Sequence, residues 1–350
     1  VRDRLRALPK TELHLHALGA ARPATLVEWA RRDGSPLLPA AERLHEGRGL
    51  PFRRLSEFVE FFVGLFGLVR SPADFERAAF EALEDAARHG VRYAELRWTP
   101  TSHVARGATV DGMFAGLEAG RRAAEAEHGI LARWIVDFPR SLPLSVAEEA
   151  VAIAVATRDR GTVAVDVSGD ESAVGADASF APVFRRAREA GLGVTAHAGE
   201  AAGPESVRGS LDLYGASRIG HGTRGAEDPD LVARLARERV CVEVCPTSNV
   251  ALGVVPSVAE HPVRAFVDAG VAVSVSSDDP TLFGTDVVSE HERLHREAGI
   301  PLATLGTLAA ESFRHAFARD PEARARLALD SADARRWAEA ETPAAAGGSA

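Results

Sequence analysis

Short apolar runs bounded by turn residues recur along the chain, separated by longer stretches with helical spacing of apolar positions. The runs predict strands over Thr11 to Ala17, Tyr93 to Thr99, Leu131 to Phe138, Val163 to Ser168, Gly193 to Ala198, Arg218 to Gly222, Val240 to Cys245 and Val271 to Ser277. The intervening stretches predict helices at Ser145 to Asp159, Ala181 to Ala190, Pro229 to Arg239 and His261 to Ala269. Eight strands alternating with helices fit an α/β (β/α)8 TIM barrel, and a doubly wound open sheet is the alternative.

Two stretches depart from a minimal barrel. Gly19 to Val91 is longer than one crossover requires and predicts a helical insertion after strand one, about residues 20–90. Within it Phe58, Phe62 and Leu65 share a helical face, which fits either core packing or an apolar wall over a ligand site. At the other end Ser331 to Glu341 predicts a last helix. The expected layout is one barrel domain over 1–341 and a disordered tail over 342–350, rich in Pro, Ala, Gly and Ser.

Composition narrows the function. The net charge of -9 argues against a nucleic-acid binder, which needs a basic face. No apolar stretch reaches membrane-spanning length and the charged N-terminus lacks a signal-peptide core, so the cytoplasm is the expected location. Cys241 and Cys245 fall in one short strand, too far apart for a local disulfide, and are expected to be reduced. A Pro-Cys-x-x-Cys zinc pair is absent, so sulfur ligation of a metal is not expected.

The chemistry gathers at strand ends, where barrel enzymes carry their sites. Strand one ends in His14-Leu15-His16, strand five in His197 with Glu200 three residues on, strand six in His221 and strand eight in Asp278-Asp279. Three imidazoles and a carboxylate, His14, His16, His197 and Asp278, suit one Zn²⁺, which acidifies a bound water. A second metal bridged by a modified lysine on strand four has no candidate, since Lys10 is the only lysine. His221 is positioned to hydrogen-bond that water and Glu200 to transfer a proton to substrate. The chemistry implied is hydrolytic deamination of an amino-substituted heterocycle.

Taken together, Pro9-Lys10-Thr11-Glu12-Leu13-His14-Leu15-His16, Val165-Asp166-Val167-Ser168-Gly169-Asp170-Glu171, Thr195-Ala196-His197-Ala198-Gly199-Glu200, Arg218-Ile219-Gly220-His221-Gly222, Cys245-Pro246-Thr247-Ser248-Asn249 and Ser277-Asp278-Asp279-Pro280 resemble the adenosine deaminase family of amidohydrolases. The resemblance implies a barrel with one zinc, Glu200 protonating purine N1, Asp279 bonding N7, and the Gly169 N–H bonding N3. It also implies that Phe58, Val59 and Phe62 cover the substrate. The family usually carries an acidic residue two positions after His-x-His, contacting the ribose 5′ hydroxyl, whereas this chain has Leu18. Expected substrates are therefore adenosine or a 5′-modified relative such as aminodeoxyfutalosine. Free adenine, a non-purine amide, and a catalytically silent binding barrel stand as alternatives.

Overall fold

The computed structural model describes residues 1–342; residues 343–350, nearly all of the expected tail, lie outside the described residues. The strands are β1 Lys10–His16, β2 Val91–Trp98, β3 Leu131–Pro139, β4 Thr162–Ser168, β5 Gly193–Val194, β6 His197–Ala198, β7 Arg218–His221, β8 Cys241–Val244 and β9 Ala272–Val275. All pair in parallel, β1 to β5 in one ladder and β6 to β9 in another. Thr195 and Ala196 continue the fifth barrel strand between β5 and β6. The Thr195 N–H donates to Val165 O at 3.1 Å, and Ala196 O accepts from the Gly220 N–H at 2.8 Å. The seam is closed where the Asp278 N–H donates to His14 O and the His16 N–H donates to Asp278 O, each at 3.0 Å. A closed (β/α)8 barrel follows, and the open sheet is excluded.

Four helices lie between β1 and β2: Pro23–Arg32, Leu38–His45, Leu55–Leu65 and Pro72–Arg88. The last carries a capping box, in which Ser71 and Asp74 satisfy each other's exposed N–H groups. Two helix boundaries differ from expectation for local reasons. Pro262 delays the predicted His261 helix to Val263–Asp268, and His261 instead accepts the Val263 N–H on Nδ1 at 3.1 Å. The final helix begins at Pro321, ten residues before Ser331, because Asp320 accepts the Ala323 N–H at 2.8 Å and Pro321 suits a first helical turn. Cys241 and Cys245 are buried and unpaired. Among the described residues no helix is long and apolar enough to cross a membrane.

Candidate active site

Strand alternation decides which side chains enter the barrel. On β1, Leu13 and Leu15 pack outward into apolar clusters, so His14 and His16 face inward at the carboxyl end. His197 and His221 arrive on β6 and β7, and Asp278 follows β9. His221 and Asp278 have φ of 59° and 62°, a left-handed conformation unfavourable outside glycine. Of the three such non-glycine residues among the described residues, two therefore stand at this site, and at Asp278 the seam hydrogen bonds hold the strain.

Four donor atoms converge. His14 Nε2 is 3.1 Å and His16 Nε2 3.3 Å from His197 Nε2. Asp278 Oδ1 lies 3.3 Å from His14 Nε2 and 3.4 Å from His16 Nε2. Ligands about 2.1 Å from a tetrahedral Zn²⁺ would be separated by about 3.4 Å. The other ring nitrogens face carboxylates, His14 Nδ1 with Glu243 Oε2 at 2.8 Å and His197 Nδ1 with Asp166 Oδ2 at 3.0 Å. The carboxylates behind Nδ1 favour the tautomer in which Nε2 is left free as a ligand, and a cation among the converging Nε2 atoms and Asp278 would satisfy them. The donor set thus fits a zinc ion. A His221 nitrogen also falls within 4.8 Å of donor atoms of His14, His197 and Asp278. Its Nε2, however, is 4.0 Å from Asp278 Oδ2, so the shorter separations favour His16.

The loop after β6 presents Glu200. Glu171 accepts the N–H groups of Gly199, Glu200, Ala201 and Ala202 at 2.7, 2.9, 3.0 and 3.0 Å. Gly199 turns the chain at φ 69°, where a Cβ would approach Val207 within 2.8 Å. Burial, followed by the charges of Asp278 and Glu171, pushes the Glu200 carboxyl well above the usual range. A cation at the donor cluster opposes part of that shift.

His221 Nε2 is 3.6 Å from Glu200 Oε1. A chain of contacts behind the ring fixes its tautomer. The Val263 N–H makes His261 Nδ1 an acceptor, and burial holds His261 neutral by lowering its pKa to about 4. His261 Nε2–H then donates to Asn249 Oδ1 at 3.1 Å, and Asn249 Nδ2 donates to His221 Nδ1 at 3.2 Å. His221, also kept neutral by burial, consequently presents Nε2–H to the cavity.

The cavity beside this cluster has a volume of about 460 Å³ and is lined by His16, His197, Glu200, His221, Asp278, Asp279, Gly169, Phe58, Val59 and Phe62, among others. Asp279 is buried with Oδ1 unpartnered, against Gly19, where any Cβ would collide with it. Phe62 meets the His16 ring edge to face at 5.8 Å, and Phe58 stacks on Phe283 at 5.0 Å. The Leu55–Leu65 helix is thus both core and wall. Leu18 does not join this set. It lines a separate void of about 10 Å³ with Phe62, Phe66, Phe75 and His103, where an apolar side chain is at home.

Beneath the donor cluster lies an ion network that sequence reasoning missed. Arg97 donates to Asp166 at 2.6 Å and to Glu243 at 2.5 Å, and Arg218 donates to Glu243 at 2.5 Å and to Glu95 at 2.6 Å. Both arginines are buried. Burial alone would raise the Glu243 carboxyl, but Arg218 and Arg97 outweigh it and hold the group below the carboxylate range. Glu243 and Asp166 are therefore fixed as anions behind His14 and His197. Glu171, Asn249 and His261 were also missed as supports. The available signal was charge at inward positions of otherwise apolar strands.

Comparison with known proteins agrees with this geometry. The sequence profile described as adenosine deaminase matches residues 9–331. An aminodeoxyfutalosine deaminase from Streptomyces coelicolor is 40% identical over 324 residues, covering 92% of this chain and 83% of that protein. The structure of an adenine deaminase from Arthrobacter aurescens superposes with TM-score 0.86 at 31% identity, covering 95% of this chain and all of that one. An amidohydrolase from Burkholderia ambifaria, solved with bound Zn, gives TM-score 0.85 at 29% identity, covering 97% of this chain and 94% of that one. The chain belongs to the adenosine deaminase family.

Proposed function

We propose that the chain, as a single barrel domain over residues 1–341, hydrolytically deaminates a 6-aminopurine nucleoside to the 6-oxopurine and ammonia, using one zinc ion. The observation that carries this reading is the convergence of His14, His16, His197 and Asp278 at one end of a cavity that Glu200, His221 and Asp279 also line. When bound, the zinc ion supplies Lewis-acid activation of the attacking water.

The chain's own groups do the rest. Glu200, whose carboxyl burial raises toward the protonated form, donates to purine N1 and makes C6 electrophilic. His221 directs Nε2–H at the attacking oxygen and orients it. Asp279 bonds N7, and the Gly169 N–H bonds N3. The incoming water replaces the amino group at C6: one of its protons completes the departing ammonia, the other restores the Glu200 carboxyl, and the proton that Glu200 gave stays on N1 of the 6-oxopurine. Phe58, Val59 and Phe62 shield the reacting edge from bulk water.

The cavity of about 460 Å³, lined also by Val104, Leu142 and Val146, has a volume that favours a nucleoside over a free base. Its apolar lining also suits a 5′-modified nucleoside, the substrate class named for the Streptomyces coelicolor relative. Screening zinc-loaded protein against adenine, adenosine, 2′-deoxyadenosine and 5′-modified adenosines tests the reading. Ammonia release from nucleosides, lost on chelation, is expected; release from adenine alone would overturn the nucleoside assignment.

A further inference from the structure

The wall of the cavity holds a carboxylate with no assigned task. Asp137 sits near the carboxyl end of β3, two barrel strands from the His197–Glu200 turn, and is 2% exposed. It lines the cavity together with Thr99, Thr101, Ser168 and Gly169. Its Oδ2 accepts from Ser168 Oγ at 3.1 Å, the Thr99 side chain also stands close to the carboxyl, and Oδ1 makes no hydrogen bond within the protein. His16 Nδ1 stands 4.0 Å away, beyond hydrogen-bond reach. Thr101 Oγ1, in the same wall, is likewise buried and unpartnered. Buried polar atoms left open beside a cavity are costly unless a ligand completes them.

The chemistry of the ligand narrows what Asp137 can hold. The ring nitrogens N1, N3 and N7 of a 6-aminopurine are acceptors, and its one donor, the 6-amino group, must face the reaction centre. Asp137 as a carboxylate acceptor would accordingly meet a donor outside the base. Leu18, which stands where the family usually carries an acid, does not line the cavity and sits beside Phe66, Phe75 and His103.

We infer that Asp137 is a specificity-determining residue that accepts a hydrogen bond from a hydroxyl of the substrate's sugar, supplying from β3 the acidic contact that the segment after β1 lacks. The inference rests on the nucleoside reading above. It differs from a role in which Asp137 only orients His16, because that role would touch every substrate equally.

A cycle of enzyme and substrate deletions tests it. Zinc-loaded wild type and Asp137→Ala are compared for kcat/KM on adenosine and on its 2′-, 3′- and 5′-deoxy analogues, with zinc content measured for both. Wild type is expected to disfavour one analogue by about 10- to 100-fold, the loss of one charge-assisted hydrogen bond. Asp137→Ala should keep one zinc per chain and lose that single discrimination while keeping the others. If the variant discriminates among all three analogues as wild type does, or loses zinc and activity on all substrates in parallel, the inference is overturned. Should alanine prevent folding, Asp137→Asn, which keeps the volume and weakens the acceptor, is read in the same cycle. Failure of the nucleoside reading would already show in wild type as an absence of nucleoside deamination.

Discussion

At the residue scale, the proposed chemistry depends on which atoms carry protons. Burial and neighbouring carboxylates raise the Glu200 carboxyl, which favours the protonated form that the proposed donation to a ring nitrogen requires. Glu200→Gln should lower turnover by about 10²- to 10⁴-fold, the usual worth of a positioned acid or base, with zinc content unchanged. Normal turnover with full zinc would remove Glu200 from the mechanism. The tautomer of His221 is set three groups away, by a backbone N–H acting through His261 and Asn249. Asn249→Ala should lower kcat about 10- to 100-fold with KM and zinc content little changed, as expected for a partner that orients a site residue. An unchanged kcat would mean that His221 does not need that orientation.

At the element scale, strand ends carry the chemistry and one helix covers it. The histidines, Glu200 and Asp278-Asp279 were legible because each sits where a short apolar run stops. Glu95, Arg97, Asp166, Arg218 and Glu243 were not, because nothing local says that a charge on an apolar strand has a partner on the far side of a barrel. Leu18 was legible as a substitution but not as a position. Only the fold shows that the turn after β1 carries it into an apolar void. The Phe58 and Phe62 face could be read from helical spacing, yet whether it was core or wall depended on tertiary packing. It does both, so Phe62→Ala should raise KM for the nucleoside by about 10-fold, the worth of one partly buried aromatic contact, and alter kcat less. An unaltered KM would separate that helix from the substrate.

At the scale of the whole molecule, the two ends of the barrel are specialised differently. Lys10, at the amino end of β1, is buried and donates to Leu8 O at 2.8 Å and to His89 O at 2.7 Å. Burial lowers its pKa to about 7. Between about pH 7 and the unfolded value near 10.5 the unfolded chain holds a proton that the folded chain has released, so stability rises with pH across that window and is flat in this respect below it. Denaturant unfolding should show the difference between wild type and Lys10→Met rising by up to about 1.4 kcal/mol per pH unit there; a constant difference would contradict a buried neutral Lys10. The carboxyl end instead gathers the donor cluster that fits a metal, and the most direct test of the proposed function is ammonia release from a 6-aminopurine nucleoside as metal-stripped protein is titrated with Zn²⁺. Activity should be absent without metal and rise to a plateau at one equivalent per chain; full activity in the stripped protein, or none on any 6-aminopurine after reconstitution, would contradict it.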